Sequence, residues 1–139
     1  NPQAIWTLLH PSKFMGECRE EYTPTIGRIR FNIAISNTAD HLGNHGFLLT
    51  PKGWVQSPAD NINPSIDKEG LALNIDMDNN ALDFDLARSI GDYFHLASGE
   101  MDQIFQEVQN AVKDWETVAK QIGVPNSEQV VMFTAFRFK

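Results

Sequence analysis

From Thr25 the chain takes on a helical rhythm. Ile26, Ile29, Ile33 and Ala34 share one face, with Phe31 and Ile35 beside it. Apolar positions three and four apart predict an amphipathic helix. Thr23 or Thr25 is placed to cap it. Asn37 and Thr38, poor helix-interior residues, should end it. "GFLL" and "WVQS" then flank "TPKG", where Pro51 and Gly53 suit a type I turn, so two short strands in a hairpin are expected. "SPADNINPS" holds two prolines and two asparagines and reads as loop. Leu71, Leu73, Ile75 and Met77 alternate with polar residues, the pattern of a short extended segment.

The last third is helical. Phe84, Leu86, Ala87, Ile90 and Phe94 fall at helical spacing, with Asp83 near the start. Ser98 is expected to cap a long helix whose stripe runs through Met101, Ile104, Phe105, Val108, Ala111, Val112, Trp115, Val118, Ala119 and Ile122. Core packing is the default reading of such a stripe. Gly123 is placed as a C-cap and Pro125 follows it. Asn126 or Ser127 then caps a final helix through "EQVVMFTAF". Residues Asn1 to Tyr22 carry the apolar "IWTLLH" between prolines and suggest a short helix and a loop. The fold class is mainly α, with one short β-hairpin. The expected division is an N-terminal segment, 1–24, and a helical domain, 25–139.

Composition narrows the functions. The 139 residues suffice for one domain with one core. Eleven basic against eighteen acidic residues give a net charge of −7, with no basic stripe. Direct binding to nucleic acid or an anionic membrane is therefore not expected. No apolar run approaches the roughly 20 residues that span a bilayer, and the N-terminus lacks the basic and apolar regions of a signal peptide. A lone Cys18 makes no internal disulfide and fits a reducing compartment, so a cytoplasmic protein is expected. A chain starting at Asn1 rather than Met is expected to be a fragment, a processed chain, or one whose start is missing.

The candidate chemistry is concentrated in "SNTADHLGNHGFLL", Ser36 to Leu49, where Asp40, His41, Asn44 and His45 fall within six residues. A helix, a polar loop, a hairpin and a second polar loop form a meaningful order. Loops at the two ends of one hairpin are neighbours in space. An Asn from one and an Asp from the other can then grip one hard cation such as Mg²⁺.

The stretches "RFNIAISNTADHLGNHGFLL", "GWVQSPADNINPS" and "LALNID" resemble the C-terminal lobe of HipA-like serine/threonine kinases, toxins of bacterial toxin–antitoxin pairs. The resemblance runs from about Arg28 to about Phe136. The family's first loop reads Asn-Thr-Asp-Asp-His, two residues, Asn-His-Gly-Phe. It implies a kinase-like helical lobe with the hairpin between a catalytic-type and a metal-type loop. Carried over, Asn44 falls on the Mg²⁺-binding Asn and His41 on the loop His that supports it. The base Asp belongs at position 39, which is Ala39; Asp40 matches the second, non-catalytic Asp. In the second loop Ser57, Pro58 and Ala59 match, Asp60 takes an aromatic position, and Asn61 stands at the metal position. Asp60 could serve the metal only after a one-residue shift of the loop.

The resemblance thus implies a kinase site with its base missing. Family members use Mg²⁺ and ATP. Neither Gly-rich phosphate motif occurs in this sequence, and the family carries its ATP-binding lobe on the N-terminal side. Tight binding of either cofactor by this chain alone is not expected. The implied partners are an antitoxin-like protein or a separate N-lobe chain, with self-association through "IWTLLH" a further expectation. The alternative is a non-catalytic binding module that kept the fold. Asn44 is expected across the hairpin from Asp60 and Asn61.

Other motifs yield less. His41 and His45 lack the further ligands of a zinc site, and a hydrogen-bonded structural role is expected of them. The acidic run Asn74 to Asp85 lacks the Gly and Glu of a Ca²⁺ loop. It reads as a turn followed by a helix N-terminus, where carboxylates are favoured.

Overall fold

The computed structural model describes residues 22–59 and 61–137. The short helix and loop expected over Asn1 to Tyr22 therefore lie, up to residue 21, outside the described residues. The elements are α1 (Tyr22–Ala34), β1 (Phe47–Thr50), β2 (Gly53–Gln56), α2 (Phe84–Ser89), α3 (Ser98–Val112), α4 (Trp115–Gln121) and α5 (Asn126–Met132). Short 3-10 turns cover Leu42–Asn44, Gly91–Phe94 and Phe133–Ala135. The fold is mainly α with one antiparallel hairpin.

Helix α1 begins before the expected caps, so Thr25 lies inside it. The buried Thr25 hydroxyl donates instead to Gln56 Oε1 (3.0 Å), tying the first turns of the helix to the end of β2. The apolar face is as the spacing requires: Ile26, Ile29 and Ile33 are buried against Met101, Ile104 and Phe105 of α3, with Ala87, Ile90, Phe94 and Leu96 closing the same core. Each large side chain so buried is worth about 1.5–3 kcal/mol, so this packing outweighs any single cap or turn. Helix α1 stops at Ala34, and Ser36 turns the chain at φ 54°.

In the hairpin Phe47 pairs with Gln56, Leu48 with Val55, Leu49 with Trp54 and Thr50 with Gly53, leaving Pro51 and Lys52 as the turn. Among the described residues these are the only two strands of a sheet. The extended segment expected over Leu71 to Met77 therefore finds no third place. Leu71, Leu73 and Ile75 are buried, but Met77 is 68% exposed. A lone bridge, Gly70 to Ala81, and a turn closed by Asp76 Oδ1 on the backbone N–H groups of Asp78 and Asn79 replace the strand.

Four helix expectations are corrected. The stretch after Asp83 divides into α2 and a 3-10 turn; Asp83 does cap α2, accepting from the backbone N–H of Asp85 and Leu86. The long stripe divides at Lys113–Asp114 into α3 and α4, and in α4 only part of it is core: Ala119 is buried, while Val118 and Ile122 are exposed. Ser98 is the first helical residue rather than the cap; Glu100 instead reaches back to the Ala97 N–H (2.8 Å). Likewise Pro125, not Asn126 or Ser127, holds the cap position of α5. Gly123 ends α4 at φ 83°, a conformation that favours glycine, while Val124 N–H bonds back to Ala119 O (2.9 Å).

The end of the described chain returns to the end of α1. Arg137 N–H donates to Ala34 O (2.6 Å), Ser36 Oγ donates to Ala135 O (2.6 Å), and Trp115 stacks on Phe136 with centroids 4.1 Å apart. This closure holds Ser36, where the first polar loop begins. No helix among the described residues is long and apolar enough to cross a membrane.

Candidate functional site

The two polar loops meet at the open end of the hairpin, and α1 supports both. Thr25, Arg28 and Asn32 stand three and four residues apart, a polar stripe beside the apolar face of α1. Each reaches a different part of the site. Thr25 holds Gln56. Arg28 Nη2 donates to Ser57 O (2.6 Å) at the start of the second loop. Asn32 Nδ2 donates to Asp40 Oδ2 (2.6 Å) in the first.

Asp40 faces inward and is buried. Its Oδ2 also lies 3.0 Å from His45 Nε2. The other ring nitrogen, Nδ1, lies 3.5 Å from both Arg28 Nη1 and Gln56 Nε2. Both neighbours are donors, so Nδ1 accepts and the ring proton sits on Nε2, directed at Asp40. Arg28 is pushed below its ordinary value by burial, partly offset by the Asp40 charge. Asp40, His45, Arg28 and Ser57 O thus form one chain of contacts joining the two loops through α1.

A second chain runs through amides. Asn37 Nδ2 donates to Asn32 Oδ1 (3.0 Å), and Asn37 Oδ1 accepts from the Asn63 backbone N–H (3.4 Å). Ser65 N–H donates to Ser36 O (3.1 Å), which lays the second loop on the first. Asn44 Nδ2 reaches the Ala39 carbonyl (3.3 Å), and Asn44 Oδ1 accepts from Asn61 Nδ2 (3.5 Å). Asn61 stands at φ 53°, and its Oδ1 accepts from Asn63 Nδ2 (2.9 Å).

Ala39 is exposed and brings only a methyl group. His41 is exposed too; its Nδ1 accepts from the Gly43 N–H (3.0 Å) and caps the 3-10 turn that carries Asn44. A Cβ at position 43 would come within 2.8 Å of the His41 ring, so a larger residue there would displace the His41 side chain from its bond to the turn. With His41 outward and His45 against Asp40, the two imidazoles do not converge on a common ligand. Asp60 lies outside the described residues.

Among the described residues no group of three His, Cys, Asp or Glu is placed to hold a metal ion. The Asn44 and Asn61 side-chain oxygens both face amide N–H donors. Mg²⁺ prefers at least one carboxylate with its waters, and the carboxylate that the resemblance brings nearest, Asp60, lies outside the described residues.

The HipA-like C-terminal domain family matches residues 4–115. The chain belongs to that family. No curated protein and no solved structure matches the chain. The matched span contains both polar loops, the hairpin and α1 to α3 of this HipA-like domain, and it ends at Trp115.

Arg28, Asn32, Asn37 and Asn63 were not legible as site residues in the loop motif. The polar stripe on α1 was the signal that could have revealed the first two, since burying such a stripe requires partners.

Proposed function

We propose that this HipA-like domain is the C-terminal lobe of a kinase-type fold whose phosphotransfer chemistry is disabled. Family membership supports the lobe. One observation carries the disablement: Ala39 occupies the exposed loop position where the resemblance puts the base, while the adjacent Asp40 is turned inward and committed to Asn32 and His45. A general base must come within about 3 Å of the hydroxyl it deprotonates. Asp40 would have to abandon both partners to do so. Asn61 supplies a neutral amide where the family has a metal carboxylate.

The test is phosphotransfer from radiolabelled Mg·ATP, with and without an added HipA-like N-lobe. The wild-type chain is expected to show none under either condition. The Ala39→Asp, Asn61→Asp double variant with the N-lobe is the positive arm. Phosphotransfer by the wild-type chain would overturn the reading.

A second reading, a binding module that engages an antitoxin-like protein or a separate N-lobe chain, is favoured by the hairpin. Leu49 and Trp54 are a directly paired cross-strand couple, yet they are 68% and 45% exposed, and Leu48, on the opposite face of β1, is exposed too. Apolar groups gathered on one small element mark an interface more often than scattered ones do. The same surface would serve self-association.

A further inference from the structure

The hairpin is open along β1. Its register sets Leu48 against Val55 and Thr50 against Gly53, and continues in the bond from the Ser57 N–H to Gly46 O (2.8 Å). Opposed residues of an antiparallel pair alternate. One couple bonds to each other, and the next turns its backbone groups outward. Gly46, Leu48 and Thr50 belong to the bonding couples. Phe47 and Leu49 therefore direct their N–H and C=O groups away from β2, along the outer edge of β1. Among the described residues no third strand meets that edge. The β2 side differs, because Thr25 holds Gln56 and Arg28 holds Ser57 O, which tie that strand to α1.

Strand edges are normally guarded by charges, prolines or bulges. Neither strand here carries a charge or a proline; Pro51 and Lys52 are confined to the turn. From His41 to Ala59 the sequence has no Asp or Glu, and Lys52 is its only Lys or Arg, in a chain of net charge −7. Two acidic chains repel one another over most of their surface, but not along this stretch.

We propose that β1 pairs antiparallel with β1 of a second copy, about a two-fold axis at Leu48. Phe47 of each copy then lies opposite Leu49 of the other. These are the residues whose backbone groups point outward, so each couple exchanges hydrogen bonds in both directions. Such self-complementarity is what a two-fold interface demands. By strand alternation Phe47, Leu49 and Trp54 share one face, so the joined sheet gathers these apolar side chains from both copies. On the other face Leu48 meets its own counterpart. The same register carries the Lys52 turn of each copy toward the first polar loop of the other, so a second copy brings a cation beside the candidate site. This inference deepens the binding-module reading and rests on it, naming a second copy as the partner of the hairpin.

Disulfide trapping tests the pairing on the full chain, in a Cys18→Ser background. At the axis the two Leu48 Cα atoms would stand about 4.5 Å apart, within disulfide reach. Leu48→Cys is expected to give a linked dimer on air oxidation. Lys52→Cys, far from its counterpart in this register, is expected to give none. No linkage through Leu48→Cys, or equal linkage through both, overturns the pairing. Amide exchange of the wild-type chain needs no substitution. The Phe47 and Leu49 N–H groups should slow as protein concentration rises, while the Leu48 N–H, already bonded within the hairpin, should not change. Slow exchange at Phe47 and Leu49 in the dilute monomer would mean that another part of the chain fills the edge, and the proposal falls. Light scattering separates this proposal from the reading it rests on. Leu48→Lys sets like charges directly opposite one another at the axis and is expected to leave monomer. A dimer that survives Leu48→Lys but not Leu49→Glu with Trp54→Glu overturns the strand pairing and leaves the apolar face as the interface. A chain that stays monomeric at every concentration overturns the pairing and leaves the binding-module reading to a partner of another kind.

Discussion

His45 Nε2 lies 3.0 Å from Asp40 Oδ2, joining the last residue of the first polar loop to the carboxylate at its centre. The contact is buried, and Asn32 Nδ2 shares the same oxygen. It explains why an Asp beside the base position is not a free base. The loop's shape depends on that carboxylate being occupied.

Removing the carboxylate should therefore cost stability rather than activity. Asp40→Ala leaves the Asn32 amide and the His45 N–H without their acceptor inside the protein. A loss of about 2–4 kcal/mol is expected, in the range for a buried partner left unmatched. Urea unfolding measures it. A loss under about 0.5 kcal/mol, the scale of an ordinary surface change, would show that the contact carries no weight.

Arg28 should act as the link between the loops. Arg28→Met removes the bonds to Ser57 O and His45 while keeping most of the buried stem. A cost of about 1.5–3 kcal/mol is expected for a charged hydrogen bond. Amide hydrogen exchange should quicken at Ser57 and Asn63 more than within α3. Uniform quickening would mean that Arg28 supports the whole fold and not the loops.

Affinity for Mg·ATP should be negligible for the isolated chain. Calorimetric titration is expected to show no saturable heat below about 1 mM, a bound near −4 kcal/mol. Micromolar binding would reveal a nucleotide site that the two loops do not account for.

The exposed hairpin pair should govern association. Leu49→Glu with Trp54→Glu is expected to leave folding intact, because both side chains are already in contact with water. It should abolish any dimer or partner complex seen by light scattering. An unchanged mass for a wild-type assembly would move the interface elsewhere, with the exposed Val130, Val131 and Phe133 the next surface to vary.

The closure at the end of the described chain should be worth more than its position suggests. Phe136→Ala removes the stack on Trp115 and the packing near Ala34, Ile35 and Val112. A loss of about 3 kcal/mol is expected for a large-to-small change of this kind, read by urea unfolding. Ser36, held at φ 54° by its bond to Ala135 O, should lose order with it.

Much was determined by the sequence alone, because it was local. The α1 face of Ile26, Ile29 and Ile33 follows from a 3.6-residue period. The hairpin follows from two apolar runs about a Pro-Lys turn, and the Gly123 stop from the freedom of glycine at positive φ. The family resemblance was legible for the same reason: its motif residues lie within a few positions of one another. The tertiary structure decided what depends on partners distant in the chain. Thr25 became a tie to Gln56 rather than a cap because β2 lies alongside it. The long stripe broke after Val112, where Trp115 meets Phe136 and the chain turns back to α1. Asp40 faced inward because Asn32, eight residues earlier, and His45, five later, converge on one oxygen. A hydrogen bond takes its direction from both ends, and one local stretch of sequence shows only one of them.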